Sequence, residues 1–127
     1  MMEATVNVRY MVDDVEAAVA WYTGHLGFTL LSSQAPAFAD VRRGALRLLL
    51  SGPTSSAGRP MPDGERPRPG GWNRIHLLVD DLPSEVARLR RTGAQFRNEI
   101  VTGPGGSQIL LVDPSENLVE LFQPSRR

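Results

Sequence analysis

A short motif occurs twice in the chain, at a distance of 67 residues. Val12-Asp13-Asp14-Val15 near the start returns as Val79-Asp80-Asp81-Leu82, and in both copies an alternating strand pattern precedes the motif and a helix pattern follows it. A repeat period of this length spans several elements, so each copy begins a supersecondary unit and not a single helix. The sequence therefore predicts two similar halves that face each other, with the functional site in a cavity between them.

The first half is predicted to fold as a strand, a helix and three further strands. Apolar residues recur at every second position from 5 to 12, which is the period of a half-buried strand. Asp13 or Asp14 can cap the following helix, and Gly24 and Gly27 can end it. The remaining strands are predicted at 28–32, 38–42 and 45–51.

The second half repeats this order. A strand pattern over 74–79 leads to a helix that starts at Asp80 or Asp81 and stops at Gly93. Strands follow at 95–101, 107–113 and 117–123. The two halves together predict an α+β fold made of two βαβββ modules.

Length and composition narrow the classes of function. With 127 residues, the chain is predicted to form one domain, with module one at about 5–51, a loop at 52–71 and module two at about 72–124. Acidic and basic residues number 14 each, which does not indicate nucleic acid as a partner, and all the basic residues are arginines. The lack of lysine and cysteine excludes Schiff-base and thiolate chemistry. No apolar run approaches the roughly 20 residues of a membrane helix, and no signal peptide is visible, so a cytoplasmic protein without a membrane partner is predicted.

The segment from Gly52 to Gly71 is rich in proline, glycine, serine and arginine and is predicted to lack regular structure. A loop of this length is longer than usual for a compact domain. It is either a lid over the site or a mobile linker, and composition does not separate these two alternatives.

Several short segments carry a resemblance to a known family. They are Val12-Asp13-Asp14-Val15, Ala20-Trp21-Tyr22 and Leu26-Gly27-Phe28 in the first half, and Val79-Asp80-Asp81-Leu82, Thr92-Gly93-Ala94 and the ending Asp113-Pro114-Ser115-Glu116-Asn117-Leu118-Val119-Glu120-Leu121 in the second. With them the chain resembles the vicinal oxygen chelate superfamily, which includes glyoxalases, extradiol dioxygenases and bleomycin-resistance proteins. The resemblance implies curled mixed sheets that enclose a shared cavity, and a homodimer. One fold hosts many chemistries, so the function must be argued from the site.

The resemblance also implies where a metal would bind in the members that use one. A ligand near the start of each module's first strand falls here on Asn7 and Arg74, and a ligand on each module's last strand falls on Leu48 and Glu120. Only Glu120 is a good ligand, because leucine has no donor atom and arginine carries a permanent positive charge that repels a cation. We therefore expect neither a metal nor another cofactor.

A shifted ligand set is the alternative. His76 lies on the same strand face as Arg74, so His76, Glu120 and Asn7 could offer one nitrogen and two oxygens. However, His76 would sit roughly 6–7 Å from the usual ligand position, with Arg74 still between it and the site. We prefer an ion pair between Arg74 and Glu120, with His76 satisfied by a neighbour such as Glu120 or acting as an acid or base.

Other candidate residues have a structural and a functional interpretation. Arg9 shares a strand face with Asn7 and Met11, so its guanidinium either clamps a ligand oxygen or pairs with Glu120 or a loop acid. Trp72 either stacks on a ligand or anchors the loop. Apolar side chains expected on the inner surface suit either core packing or a planar ligand; they are Met11, Leu46, Leu48, Leu50, Leu78 and Phe122.

The resulting hypothesis is a metal-independent protein that binds a small molecule, similar to the bleomycin-resistance branch, and sequesters an aromatic or amphipathic compound. The alternative is an enzyme of the same superfamily, a lyase, isomerase or dioxygenase acting on a carbonyl or enol substrate, with Glu120 or His76 as the catalytic base. The sequence does not decide whether the chain is an enzyme. The expected ligand-binding residues are Asn7, Arg9, Met11, Leu48, Trp72, Arg74, His76, Glu120 and Phe122.

Overall fold

The computed structural model describes residues 6–126. The chain forms two compact units, of which the first ends at Gly70 and the second starts at Gly71. Each unit has its own sheet and its own helix, and each is described by itself. Across the described residues, no helix has the length and apolar character that spanning a bilayer requires.

The first unit has the predicted order of one strand, one helix and three strands. Its four strands form one sheet in the order β1-β4-β3-β2, in which β1 runs parallel to β4 and the other pairs are antiparallel. The elements are β1 (Val6–Met11), α1 (Val15–Leu26), β2 (Thr29–Gln34), β3 (Phe38–Arg43) and β4 (Leu46–Ser51).

Helix α1 begins and ends through local interactions that the sequence anticipates. The carboxylate of Asp14 accepts a hydrogen bond from the backbone N–H of Ala17 at 3.1 Å, which satisfies one of the amides that a helix start leaves unpaired. Gly27 ends the helix in the left-handed conformation, with φ of 69°. Gly24, the other expected stop, lies within the helix. The buried side chains are Val15, Ala18, Tyr22 and Leu26.

The second unit repeats the topology with one strand divided. Its sheet has the order β5-β9-β8-β6, with β7 also paired to β8, and β5 runs parallel to β9. Asp81 caps α2 as Asp14 caps α1. The elements are β5 (Ile75–Leu78), α2 (Leu82–Arg91), β6 (Gln95–Phe96), β7 (Val101–Gly103), β8 (Gly106–Val112) and β9 (Leu118–Pro124).

The single strand predicted at 95–101 is the one clear difference in the second unit. It is interrupted after Phe96, where the side-chain oxygen of Asn98 accepts the backbone N–H of Leu110 at 3.0 Å. This bond replaces the backbone partner that a continuous strand would supply, so the ladder breaks and resumes at Val101. Elsewhere the predicted α+β architecture, with two helices and two mixed sheets, is confirmed.

The segment between β4 and β5 contains no strand. Its only regular element is a short 3₁₀ turn at Ser56–Gly58. Ser55 before this turn is buried, and its hydroxyl donates to the carbonyl oxygen of Gly52 at 2.6 Å. The prediction that this segment lacks regular structure is therefore confirmed apart from that turn.

Candidate functional site

The second sheet presents one face to helix α2 and a different set of side chains on the other. Val119 and Leu121 of β9 are buried, as are the apolar side chains of α2. Because side chains alternate along a strand, Glu120 lies on the opposite face, and the strand register places its neighbours there too. We call this surface the Glu120 face; it consists of His76, Leu78, Leu110, Glu120 and Phe122.

The carboxylate of Glu120 has two cationic or potentially cationic neighbours. Oε1 accepts from Nε of Arg74 at 3.0 Å and lies 2.9 Å from Nη2 of the same guanidinium. Oε2 lies 3.5 Å from Nε2 of His76. The Glu120 side chain is only 10% exposed, against 29% for Arg74 and 45% for His76. The expected ion pair between Arg74 and Glu120 is therefore present, with His76 beside it.

These donors do not fit a divalent metal. Nowhere in residues 6–126 do three histidine or acidic side chains converge. The best donor, Glu120, already binds a guanidinium within 3.0 Å, and that permanent charge would repel a cation held on the same oxygen. The metal that the family uses elsewhere is thus poorly matched to this set of residues.

Apolar and aromatic groups continue the Glu120 face on either side of the carboxylate. The ring of Phe122 lies 4.9 Å from the imidazole of His76, centroid to centroid. Leu78, opposite Phe122 in the strand register, is 63% exposed. The face therefore combines a fixed carboxylate with aromatic surface, which is the composition of many small-molecule sites.

A cavity of about 240 Å³ lies beside Trp72 in the same unit. Nη1 of Arg74 donates to the carbonyl oxygen of Trp72 at 3.1 Å, so the ion pair and the cavity wall are directly linked. The guanidinium of Arg97 lies over the Trp72 ring, 5.4 Å from its centroid. The lining residues are Gly71, Trp72, Arg97, Val112, Glu116 and Leu118.

The first unit holds the candidates Asn7, Arg9 and Met11, which alternate along β1 with the half-buried Val8 and the buried Tyr10. Nη1 of Arg9 donates to the hydroxyl of Ser51 at 2.8 Å. If Arg9 has a structural role, the sequence predicts an acidic partner for it. In the structure its hydrogen-bond partner is Ser51 of the neighbouring strand β4. Met11 and Asp13 line a second cavity of about 450 Å³ together with 64–69 of the connecting segment.

Leu48, which the sequence analysis placed on a ligand-facing surface, is fully buried in the structure. It pairs with Val8 and Val41, and the equally buried Leu50 pairs with Tyr10 and Ala39. On strand β4 it is Leu49, and not Leu48, that lies opposite Arg9. In the second sheet Glu120 lies opposite His76 in the same way. Three consecutive leucines hide the strand alternation, so the sequence alone could not reveal this shift of one residue.

Asp40 belongs to a polar network that the sequence analysis missed. This nearly buried aspartate on β3 accepts hydrogen bonds from the hydroxyl of Ser32 and from Nε of Arg47, the latter at 2.7 Å. Burial raises the pKa of Asp40, but the hydrogen bonds from Ser32 and Arg47 lower it by more, so the net pKa lies below the ordinary 3.8. The network contacts the face that carries Arg9, because Asp40 pairs with Leu49.

Arg97 and Glu116 were also missed as candidate site residues. Arg97 follows the short strand β6, and Glu116 lies in the turn between β8 and β9. The sequence of that turn predicts a hairpin connection, which is correct, but it does not reveal that the Glu116 side chain lines a cavity with Trp72. No local motif could have linked three residues so far apart in the chain.

Comparisons with known proteins agree with this architecture. The family model for the glyoxalase/bleomycin resistance protein/dioxygenase superfamily matches residues 5–121. No curated protein sequence matches the chain significantly.

Solved structures match along almost the whole length. A lactoylglutathione lyase from Agrobacterium tumefaciens is 20% identical, with a TM-score of 0.76 and coverage of 97% of this chain and 95% of that one. TnmS3, an antibiotic-binding protein from Streptomyces sp. CB03234, is 26% identical, with a TM-score of 0.74 and coverage of 98% of both chains. A superfamily member from Sphaerobacter thermophilus is 24% identical, with a TM-score of 0.76 and coverage of 96% and 98%. The chain therefore belongs to the glyoxalase/bleomycin resistance protein/dioxygenase superfamily.

Proposed function

We propose that the chain binds a small organic molecule, aromatic or amphipathic, without a metal, and sequesters it against the Glu120 face. The carrying observation is the state of Glu120, whose carboxylate is bound by Arg74 at 2.9 Å. A carboxylate neutralised in this way acts as a fixed polar anchor and not as a free metal ligand.

The surfaces around this anchor support an aromatic or amphipathic ligand. Trp72 and Leu78 are each 63% exposed, and the Phe122 ring lies close to His76. Large exposed apolar side chains grouped near a few polar ones are typical of a binding site. The likeness to TnmS3, at 26% identity over 98% of both chains, gives independent support for a binding protein.

Tryptophan fluorescence tests this proposal, because the chain has only two tryptophans. We expect members of a panel of aromatic natural products to quench the wild-type emission with saturation. The Trp72→Phe variant should lose this quenching of the emission. Trp21→Phe is the matched control, since Trp21 packs on Tyr22 of helix α1, 4.7 Å between ring centroids, and its removal should leave the response intact. A flat response in the wild type, together with measurable turnover of a substrate, would reject the proposal.

Catalysis on a carbonyl or enol compound is the second candidate, and the position of His76 favours it. Its imidazole is 45% exposed and lies 3.5 Å from the Glu120 carboxylate, so a bound molecule could reach a nitrogen that is paired with an acid. Deuterium exchange next to the carbonyl of added ketones, followed by NMR, would reveal such proton transfer. Its loss in both Glu120→Gln and His76→Gln, with ligand binding retained, would favour the enzyme over the binding protein.

We also propose that the chain forms a homodimer, as the resemblance implies, and that it works in the cytoplasm. Light scattering on the purified protein measures the mass directly. A monomer mass at every concentration would contradict the proposed dimer and leave ligand binding to be tested separately.

A further inference from the structure

We propose that the cavity beside Trp72 selects a flat aromatic zwitterion, with one or two fused rings that carry both an acidic and a basic group. This inference rests on the proposed function, because it names the class of the ligand. It adds Arg97 and Glu116 to the residues that hold the ligand.

The size and lining of the cavity define the aromatic part. Its volume of about 240 Å³ is below the ~300–1,000 Å³ of pockets for drug-sized ligands, so one or two rings fill it. The indole of Trp72 is 63% exposed, and Val112 and Leu118 supply apolar wall. A planar ring can therefore stack on the indole and cover side-chain carbon on the other sides.

Arg97 supplies the site for the acidic group. Its guanidinium lies 5.4 Å from the centroid of the Trp72 ring, at the edge of the same cavity. Across residues 6–126, no acidic side chain lies within 4 Å of it. A carboxylate or enolate on the ligand would be the first acidic partner for this group and can accept two parallel hydrogen bonds.

Glu116 supplies the site for the basic group. Glu116 is one of the residues that line the cavity, and no arginine or histidine in the described part of the chain pairs with its carboxylate. Its backbone has φ of 67°, the left-handed region that glycine and asparagine adopt more readily than glutamate.

Opposite charges in one cavity wall decide between classes of ligand. A purely anionic ring would be attracted by Arg97 and repelled by Glu116, and a purely cationic ring would meet the reverse. A ligand with both charges satisfies both side chains. The geometry therefore favours a zwitterion over either singly charged compound and over a neutral ring.

Four compounds with the same ring test this choice: 3-methylindole, indole-3-acetate, tryptamine and tryptophan. With two tryptophans in the chain, a ¹⁵N–¹H spectrum shows two indole N–H signals, which the Trp21→Phe and Trp72→Phe variants assign. We expect tryptophan to shift the Trp72 signal and not the Trp21 signal. Its dissociation constant should be about ten-fold lower than that of 3-methylindole, a difference of about 1.4 kcal/mol, and lower than those of the two singly charged compounds.

Charge-removing variants assign each half of the ligand. Arg97→Met should abolish the gain in affinity that the carboxylate gives to indole-3-acetate and tryptophan. Glu116→Gln should cancel the advantage of the amine in tryptamine and tryptophan. Arg91→Met, which removes an exposed arginine of helix α2, is the control and should leave all four affinities unchanged.

The outcomes separate this inference from the proposed function. Equal affinities for the four compounds, with the Trp72 signal shifting, would overturn the zwitterion and leave aromatic binding standing. Tightest binding of indole-3-acetate or of tryptamine would overturn it in the same way. If neither these probes nor any compound of the aromatic panel changed the Trp72 signal or the fluorescence, the proposed function would fail together with the inference.

Discussion

The guanidinium of Arg74 and the carboxylate of Glu120 form an ion pair at 2.9 Å, although the two residues are 46 positions apart in the sequence. Glu120 lies on strand β9 and Arg74 directly precedes β5, so the parallel pairing of these strands brings the two charges together. The resemblance implies a metal ligand at the position of Glu120 in the members that use a metal. The contribution of this ion pair to the stability of the protein can be measured, and so can its effect on metal binding.

Removing Arg74 and Glu120 together should destabilise the protein by less than the sum of the two single removals. Arg74→Met leaves the Glu120 carboxylate, only 10% exposed, without its cation. We expect a loss of about 1–3 kcal/mol, less than for a fully buried pair because Arg74 is partly exposed. Glu120→Gln alone should cost less, and the double variant should cost less than the sum of the single ones. Urea denaturation measures all three, and strict additivity would contradict the coupling.

Arg74→His should create a zinc site. An imidazole Nε2 reaches about as far from the backbone as the Nε of arginine, which now contacts Glu120 at 3.0 Å. The variant would offer two histidines and one carboxylate, a known zinc ligand set. We expect at least a roughly ten-fold gain in Zn²⁺ affinity over the wild type by calorimetry. Arg91→His adds a histidine elsewhere and should show no gain. A wild type that binds Zn²⁺ as tightly as the variant would show that Arg74 is not the obstacle.

Asp40→Asn should lower stability in a pH-dependent manner. The pKa of Asp40 lies below its ordinary 3.8, so its contribution is present above pH 3.8 and is lost as the pH falls through the lower folded-state value. We expect a difference of about 1–3 kcal/mol between wild type and variant at neutral pH, because two hydrogen bonds to a charged acceptor are weakened. Denaturation at several pH values should show a constant difference from pH 7 to 5 and a smaller one below 3.8. A difference that grows in acid would contradict this assignment.

Gly106→Ala should destabilise the protein and disturb the Glu120 face. Gly106 has φ of 150°, and a methyl group there would overlap the carbonyl oxygen of Gln123 and lie 2.9 Å from Cζ of Phe122. We expect a loss of about 2–3 kcal/mol and weaker binding of aromatic ligands, since the Phe122 ring must move. Gly105→Ala is a matched control, because its added methyl group would contact nothing within 4 Å. Equal thermal stability of the two variants would refute the argument.

The repeated motif predicted the helices and strands well, because helix caps and strand patterns depend on residues that are close together in the sequence. Caps at Asp14 and Asp81 and the stop at Gly27 depend on neighbouring backbone groups, so the sequence is enough to place them. The strand at 95–101 was harder to predict. Its interruption depends on Asn98 reaching the backbone of Leu110, twelve positions away, and local patterns carry no information about that contact.

The candidate site was only partly predictable for the same reason. The ion pair of Arg74 and Glu120 followed from the resemblance and from strand alternation. The burial of Leu48 was not evident from the sequence, because a run of leucines gives no period of two. Arg97 and Glu116 meet Trp72 only after β6, β8 and β9 have paired, and no residue pattern reports that convergence.

The segment between β4 and β5 has a consequence for proteolysis. It is irregular, exposed and rich in arginine, which normally makes a chain easy for trypsin to cut. Yet Arg59, Arg66 and Arg68 are each followed by proline, a residue that blocks trypsin at the next bond, and the chain contains no lysine. The next arginine, Arg74, is held by Glu120. Digestion between the halves should therefore need a protease with a different specificity, such as one that cleaves after Glu65.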